Sequence, residues 1–312
     1  MDVEPELQSP ARAAWARIAR DRLAVTGLAT LAVLIIIALL GAGLTREVNT
    51  FDPTTVRLQD KLAAPFSRAS PQLPAAERPL LGIYLLGTDD LGRDVLSRML
   101  QGAPVSLSIG FVAVGIAVFI GITLGAVAGY LGTLRIGWIT VDTLIMRFTD
   151  VMLCFPAFFL ILTVVALLPA SIYNVMIVIG LTGWMGTARF VRAEFLALGG
   201  QAFVDAARAS GLPHWRIIFV HMLPNALAPV LVSSTIAVAG AILTESALSF
   251  LGFGVQPPDA TWGNILADGK NYIFDAPWLF FAPGIAILVV VLAFNLVGEG
   301  LREAFNPRLR QR

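Results

Sequence analysis

Asp205-Ala206-Ala207-Arg208-Ala209-Ser210-Gly211, followed after a short gap by His221-Met222-Leu223-Pro224-Asn225, lies between two runs of membrane-grade hydrophobicity. Two small alanines beside a carboxylate, a glycine suited to stopping a helix and a proline suited to opening the next segment describe a compact knob outside the bilayer. The spacing predicts a short helix over 201–210, with Asp205 near its start and Gly211 supplying a left-handed stop. Pro213 then fits the first turn of a second helix over 213–221, and Pro224 should end that helix before the chain re-enters the membrane. Ala206 and Ala207 carry little bulk, so a docked partner can approach the backbone, with Arg208 beside them and Phe203 and Leu212 as apolar anchors. The alternative is a helix resting on lipid headgroups, which Trp215 and Arg216 would also suit.

Working outward, 57% of the 312 residues are hydrophobic and 14% charged, where a soluble domain carries about a quarter charged. The fold class is therefore all-α, a polytopic membrane protein. With 22 basic and 21 acidic residues, the balance gives no support to a nucleic-acid partner. A span needs about 20 helical residues to cross about 30 Å of hydrocarbon. Six runs qualify: 23–44, 105–130, 146–168, 172–190, 225–251 and 278–297. Pro169-Ala170-Ser171 reads as a tight turn between the third and fourth. The first run is too long, and lacks the small-residue cleavage site, for a removed signal peptide.

Arg12, Arg17, Arg20 and Arg22 before the first span, and Arg302, Arg308, Arg310 and Arg312 after the last, place both termini in the cytoplasm by the positive-inside bias. The organisation is then a cytoplasmic tail (1–22), a first membrane helix (23–44), an extracytoplasmic loop (45–101), a five-helix core (102–300) containing the cytoplasmic loop at 194–224, and a second tail (301–312). Pro53, Pro65, Pro71, Pro74 and Pro79 should keep the external loop irregular up to Leu86. Thr88 can cap a helix whose first turn carries Asp89 and Asp90. With Arg93 and Asp94, these residues form either a surface helix or a platform for an external partner. Cys154 lies in an apolar run and reads as a buried packing thiol.

Ala113, Ala117, Gly121, Gly125 and Gly129 recur at every fourth position, a stripe that lets a second helix backbone come close. Gly180, Gly183 and Gly186 make a similar face on the fourth span, while Pro156 and Pro229 should kink the third and fifth. Glu245 stands out as an ionisable group deep in an apolar run, where it should meet a partner, a cavity or water. Ser234, Ala241, Glu245 and Ser249 share roughly one helical face, a candidate lining for a translocation path. Equally, Glu245 can sit near the outer end of its span, bonded to a neighbouring loop. Trp262, Trp278 and Tyr272 suit an outer interfacial belt.

Other chemistry finds little support. The lysines are Lys61 and Lys270, and neither follows a phosphate-cradling glycine loop. His214 and His221 lack cysteine or carboxylate ligands at metal spacing, so no metal site is expected. No Gly-x-Ser-x-Gly elbow or intramembrane His/Asp pair supports a hydrolase.

The loop resembles the Glu-Ala-Ala loop of ATP-binding-cassette importer permeases, with Asp205, Ala206, Ala207, Gly211, Leu223 and Pro224 at the matching positions. Asp205 replaces the glutamate, keeping the charge one methylene shorter. More widely, the chain is similar to the C-type permease subunit of the dipeptide, oligopeptide and nickel importers. That similarity runs through Leu86-Gly87-Thr88-Asp89-Asp90-Leu91-Gly92-Arg93-Asp94 and Ala247-Leu248-Ser249-Phe250-Leu251-Gly252-Phe253-Gly254, then Trp262-Gly263-Asn264 and Asn295-Leu296-Val297-Gly298-Glu299-Gly300. The resemblance implies a type I importer fold in a bacterial or archaeal cytoplasmic membrane. It also implies a homologous B-type permease, two ATPase subunits that bind ATP and Mg, and an extracytoplasmic solute-binding protein, with no cofactor or catalysis in this chain. Peptides are the expected cargo, with nickel chelates, glutathione or another small solute as alternatives. Two other classes are an ion-gradient-driven secondary transporter, for which no convincing internal repeat is found, and an intramembrane enzyme, for which nucleophile and base are missing.

Overall fold

In hydrocarbon every backbone N–H and C=O must be satisfied within its own segment, and the chain answers with long helices. The computed structural model describes residues 15–47, 51–74, 77–79 and 81–305; Arg12, Arg308, Arg310 and Arg312 lie outside them. The helices are α1 (Arg22–Glu47), α2 (Val95–Tyr130), α3 (Val141–Leu153), α4 (Ala157–Leu167), α5 (Ile172–Gly199), α6 (Ala202–Ala209), α7 (His214–Phe250), α8 (Trp262–Gly269) and α9 (Trp278–Phe305). Two short antiparallel ribbons join them: β1 (Ser67–Arg68) with β2 (Ile83–Tyr84), and β3 (Arg135–Ile136) with β4 (Ile139–Thr140). Among the described residues α1, α2, α5, α7 and α9 are long and apolar enough to cross a membrane. The α3–α4 pair, bent by 82°, makes a sixth crossing if counted as one.

The small-residue stripe is the tightest seam. A Cβ added at Gly121 would sit 2.6 Å from the Thr187 side chain, at Gly125 2.5 Å from the Ala188 carbonyl oxygen, and at Gly129 2.6 Å from Phe195. On the facing helix, a Cβ at Gly180 would meet Ile116 at 2.7 Å. The contacts advance in step along α2 and α5, so the two helices run parallel. Where lipid tails offer helices no hydrophobic drive to associate, such backbone approach holds them together by dispersion. A Cβ at Gly183 would meet Ala117 at 3.3 Å and one at Gly186 would meet nothing within 4 Å, so the expected α5 stripe reduces to Gly180 and Gly183.

The same geometry orders the two ends of the bundle. Arg17 donates to the Ala304 carbonyl at 2.9 Å, and Gly300 lies against Ala24, so the start of α1 meets the end of α9. Tyr130 at the end of α2 meets His214 at the start of α7 at 3.1 Å, and α6 follows directly on α5. Both ends of the described chain, the β3–β4 ribbon and α6 therefore share one end of the bundle. The described residues of 51–94 and α8 occupy the other.

Several expectations are corrected. The helix of the second span starts at Val95, not 105, and its cap is Asp94, which accepts from Leu96 and Ser97 backbone N–H groups at 3.3 and 3.2 Å. Thr88 is instead buried in an antiparallel bridge to Asp94, where its Oγ1 accepts from Ala63 N–H at 2.8 Å, and Asp89 and Asp90 precede the helix. The segment before it has little regular structure but a built interior. Arg57 and Tyr84 are fully buried, Tyr84 Oη donating to Asp60 Oδ2 at 2.7 Å and Arg57 Nε to the Glu77 carbonyl at 2.7 Å. The fourth span continues to Gly199, past residue 190. Pro156 does more than kink the third span: it breaks it. Cys154, at that break, is exposed on the surface of the chain and not buried. Pro229 sits inside an unbroken α7.

Candidate functional site

Around Asp205 the sequence forms an amphipathic helix, α6, because its apolar residues recur three apart. Val204 and Ala207 are buried against Phe195, Ile217 and Met222. Phe203, Asp205, Ala206 and Arg208 are exposed, so only one of the two alanines faces outward. Arg208 pairs with Asp205 at 3.2 Å and lies 5.3 Å from the centre of the Tyr130 ring. Gly211 follows with φ of +69° and open space where a Cβ would be, as a left-handed stop requires. Leu212 packs on the same cluster, as does Leu223.

Beyond Gly211 the structure departs from expectation. Pro224 does not end a helix; His214–Arg216 passes through a π-helical turn, Ile217–Met222, straight into Leu223–Phe250. Pro224 is tolerated because the π turn shifts the bonding pattern just before it. The re-entry is thus one continuous helix, His214–Phe250, whose first turns carry the loop. Beside it a cavity of about 490 Å³ opens between Gly129, Tyr130, Phe195, Arg208 and His214.

At the opposite end the four residues considered for an external partner are mostly turned inward. Asp89 and Asp94 are buried, Arg93 is largely covered, and Asp90 is partly exposed. Asp89 receives Arg93 Nε at 2.6 Å and Arg98 Nη1 at 2.8 Å, and Arg98 also reaches Asp268 on α8 at 2.9 Å. Burial pushes the Asp90 carboxyl above the usual carboxylate range, with Asp89 and Asp268 adding repulsion. Asp90 borders a polar cavity of about 280 Å³ with Ser249, Gln256, Asn264, Asp268 and Lys270. Trp262 and Trp278 do not form a lipid-facing belt. Trp262 is buried with its Nε1 on the Met99 carbonyl at 3.2 Å, and Trp278 Nε1 donates to the Thr88 carbonyl at 3.1 Å.

The proposed path-lining face divides. Ala241, Glu245 and Ser249 are buried within this chain, Ser249 Oγ donating to Glu245 Oε1 at 2.7 Å while Oε2 has no partner among the described residues. Gly263 packs against Ser246 and Ser249, so this face of α7 is sealed by α8. Ser234 lies apart, beside an apolar groove of about 350 Å³ with Phe111, Val238 and Phe294. Sequence reasoning missed Arg98 and Asp268, and it missed two ion pairs on the other side of the bundle: Asp142 with Arg192, and Asp150 with Arg189. The signal was present in Arg147 and Asp150, charges inside the apolar run 146–168.

A polytopic helical bundle with an exposed, glycine-stopped helix at one end is matched over residues 121–311 by the family described as binding-protein-dependent transport system inner membrane component. The chain belongs to this permease family. Residues 9–65 of the permease match the N-terminal transmembrane domain of oligopeptide transport permease C. It is 39% identical over 302 residues to the dipeptide transport system permease protein DppC of Alkalihalophilus pseudofirmus, covering 97% of this chain and 91% of that one. It is 33% identical to the oligopeptide transport system permease protein OppC of Bacillus subtilis, covering 96% and 90%. Inward-facing structures of the MetNI methionine ABC transporter share the fold, with a TM-score of 0.51 at 17% identity over 66% of this permease and 96% of that chain. The membrane location follows from the family and the apolar helices together.

Proposed function

We propose that this permease subunit carries dipeptides or oligopeptides into the cytoplasm, driven by separate ATPase subunits that dock on the exposed face of α6. The carrying observation is the division of α6: Phe203, Asp205 and Ala206 face outward, while Val204 and Ala207 are locked to α5 and α7. Force applied to the outer face is thereby passed to two spans. ATP and Mg belong to those partners, and hydrolysis is theirs. The end of the bundle with α6 is the cytoplasmic one, in line with Arg17, Arg20, Arg22, Arg302 and the positive-inside bias. A homologous B-type permease completes the pathway, and an extracytoplasmic binding protein delivers the solute at the end that holds α8. The relatives named for dipeptide and oligopeptide transport support the cargo.

Uptake of a labelled dipeptide by cells with and without this gene tests the reading. ATP-dependent uptake should vanish on deletion and return with the gene, and excess unlabelled tripeptide should compete. Normal peptide uptake in the deletion strain, with loss of nickel uptake instead, would overturn the cargo assignment.

A further inference from the structure

Between Tyr130 and Asp142 the chain carries one charged residue, Arg135, and an apolar tip, Ile136-Gly137-Trp138-Ile139. β3 and β4 close there in a two-residue turn. Gly137 takes its first position with φ of +63°, the left-handed backbone such a turn needs, and leaves Trp138 at the point of the ribbon. Ile136 and Ile139 are cross-strand partners, so their side chains share one face, with Arg135 and Thr140 on the other. Trp138 is fully exposed, and Ile136 and Ile139 are 63% and 49% exposed. A two-stranded ribbon is marginally stable in water on its own, and this one leaves its apolar face uncovered among the described residues.

The position of the ribbon narrows what covers it. The apolar run of α2, 105–130, is about 39 Å long, against about 30 Å of hydrocarbon and about 40–45 Å with the headgroups included. α2 therefore ends among the headgroups, and α3, starting at Val141, leads straight back into the membrane. Asp142 N–H donates to the Gly132 carbonyl at 3.3 Å and Val141 N–H to the Leu134 carbonyl at 2.9 Å, which holds the base of the ribbon between the two spans. Beyond that base the paired strands extend about 7 Å, so the tip stays at headgroup level or just past it. A stable contact with another protein takes about 800 Å² from each side, more than one tryptophan and two isoleucines supply. The bilayer edge sets no such threshold. An indole seats its apolar body there with its N–H toward water, and a guanidinium beside it meets anionic headgroups.

We propose that the β3–β4 ribbon is a membrane anchor, with Ile136, Trp138 and Ile139 seated in the headgroup layer and Arg135 paired with anionic lipid. Its neighbours give the anchor a use. Tyr130, at the end of α2 just before the ribbon, contacts His214 at 3.1 Å and lies under Arg208 of α6. A ribbon held at fixed depth therefore fixes the turn of α2 against which α6 rests. The choice of leaflet rests on the cytoplasmic placement of α6, while the contact with lipid does not.

The contact is measured on the assembled transporter in nanodiscs of phosphatidylcholine and phosphatidylglycerol, as the difference in tryptophan emission between the parent and Trp138→Phe. Trp138 is fully exposed, so the variant should fold, and the difference reports Trp138 alone. With acyl chains brominated next to the headgroup, that signal should be several-fold weaker than in unbrominated lipid, and weaker than with bromine at the chain ends. An undiminished signal, or one quenched most from the chain ends, would overturn the anchor. Undiminished emission at the wavelength of indole in water would place Trp138 in solvent, and at a shorter wavelength against a partner subunit. For the charge, bromine is placed on one lipid at a time. Brominated phosphatidylglycerol should quench Trp138 more strongly than the same fraction of brominated phosphatidylcholine, and Arg135→Gln should abolish the preference; equal quenching in the parent would remove the pairing with anionic lipid. None of these readings depends on the solute, so a wrong cargo leaves them unchanged.

Discussion

Arg98 donates from Nη1 to Asp89 Oδ2 at 2.8 Å, with both side chains buried, and the same nitrogen reaches Asp268 on α8 at 2.9 Å. One guanidinium therefore ties the external segment, the first turn of α2 and α8 into a single body. Removing Arg98 would leave Asp89 with Arg93 alone, and neutralising Asp89 would leave Arg98 with Asp268 alone, so each single change strips a buried charge of one of its two partners.

Arg98→Met is expected to destabilise the permease by about 3 kcal/mol, and Asp89→Asn by a similar amount. Combining them should cost clearly less than the sum, because the direct Arg98–Asp89 contact is lost only once. Thermal unfolding in detergent of the two single variants and the double one gives the coupling; strict additivity would contradict the arrangement.

The α2–α5 seam should tolerate no added carbon. Gly125→Val places atoms against the Ala188 carbonyl and Val191 and is expected to cost about 1–3 kcal/mol by overpacking. Gly186→Ala, where an added Cβ would meet nothing within 4 Å, should hold or slightly raise the midpoint of unfolding in the isolated subunit, because alanine is the better helix former. Equal effects of the two would mean that the seam lies elsewhere.

Asp90 gives a pH dependence with a definite sign. Its carboxyl is held above the usual carboxylate range by burial first, then by Asp89 and Asp268, so the folded state favours the protonated form. Its contribution is fully present below the ordinary carboxylate range and is lost as pH rises through the raised value. Asp90→Asn should therefore be more stable than the parent near neutral pH, with the gap closing toward about pH 4. Unfolding midpoints across that interval check it, and a gap that widens on acidification would be the opposite result.

What the sequence made legible was everything set by period and polarity. Five of the six apolar runs, the α2 stripe at Gly121, Gly125 and Gly129, and the stop at Gly211 follow from hydropathy and glycine geometry, and the structure has a long helix, the close approach or the turn at each; the third run is the broken α3–α4 pair. What escaped were pairings between distant residues. Asp89 with Arg98 and Asp268, and Asp150 with Arg189, cannot be matched until the helices are packed, so Asp89 was read as surface. Asp94 competed with Thr88 for the same cap, and the hydrogen bond from Thr88 Oγ1 to the Asp60 carbonyl, which decided it, comes from 28 residues away. Pro224 misled because a proline in the first turns of a helix looks, in sequence, like one that ends its predecessor. α8 carried a local signal that went unread, the Thr261-Trp262-Gly263-Asn264 capping box.

The coupling role of α6 is tested most directly by Gly211→Arg in the transporter reconstituted with its ATPase subunits, its partner permease and its binding protein. The site is exposed and has room for a side chain, and the left-handed backbone costs such a residue only about 1–2 kcal/mol, so the variant should fold. ATP-driven dipeptide uptake should then fall by roughly tenfold or more, equivalent to at least about 1.4 kcal/mol of lost coupling, with α6 still in place. Uptake at the unaltered rate by a folded Gly211→Arg permease would contradict the account.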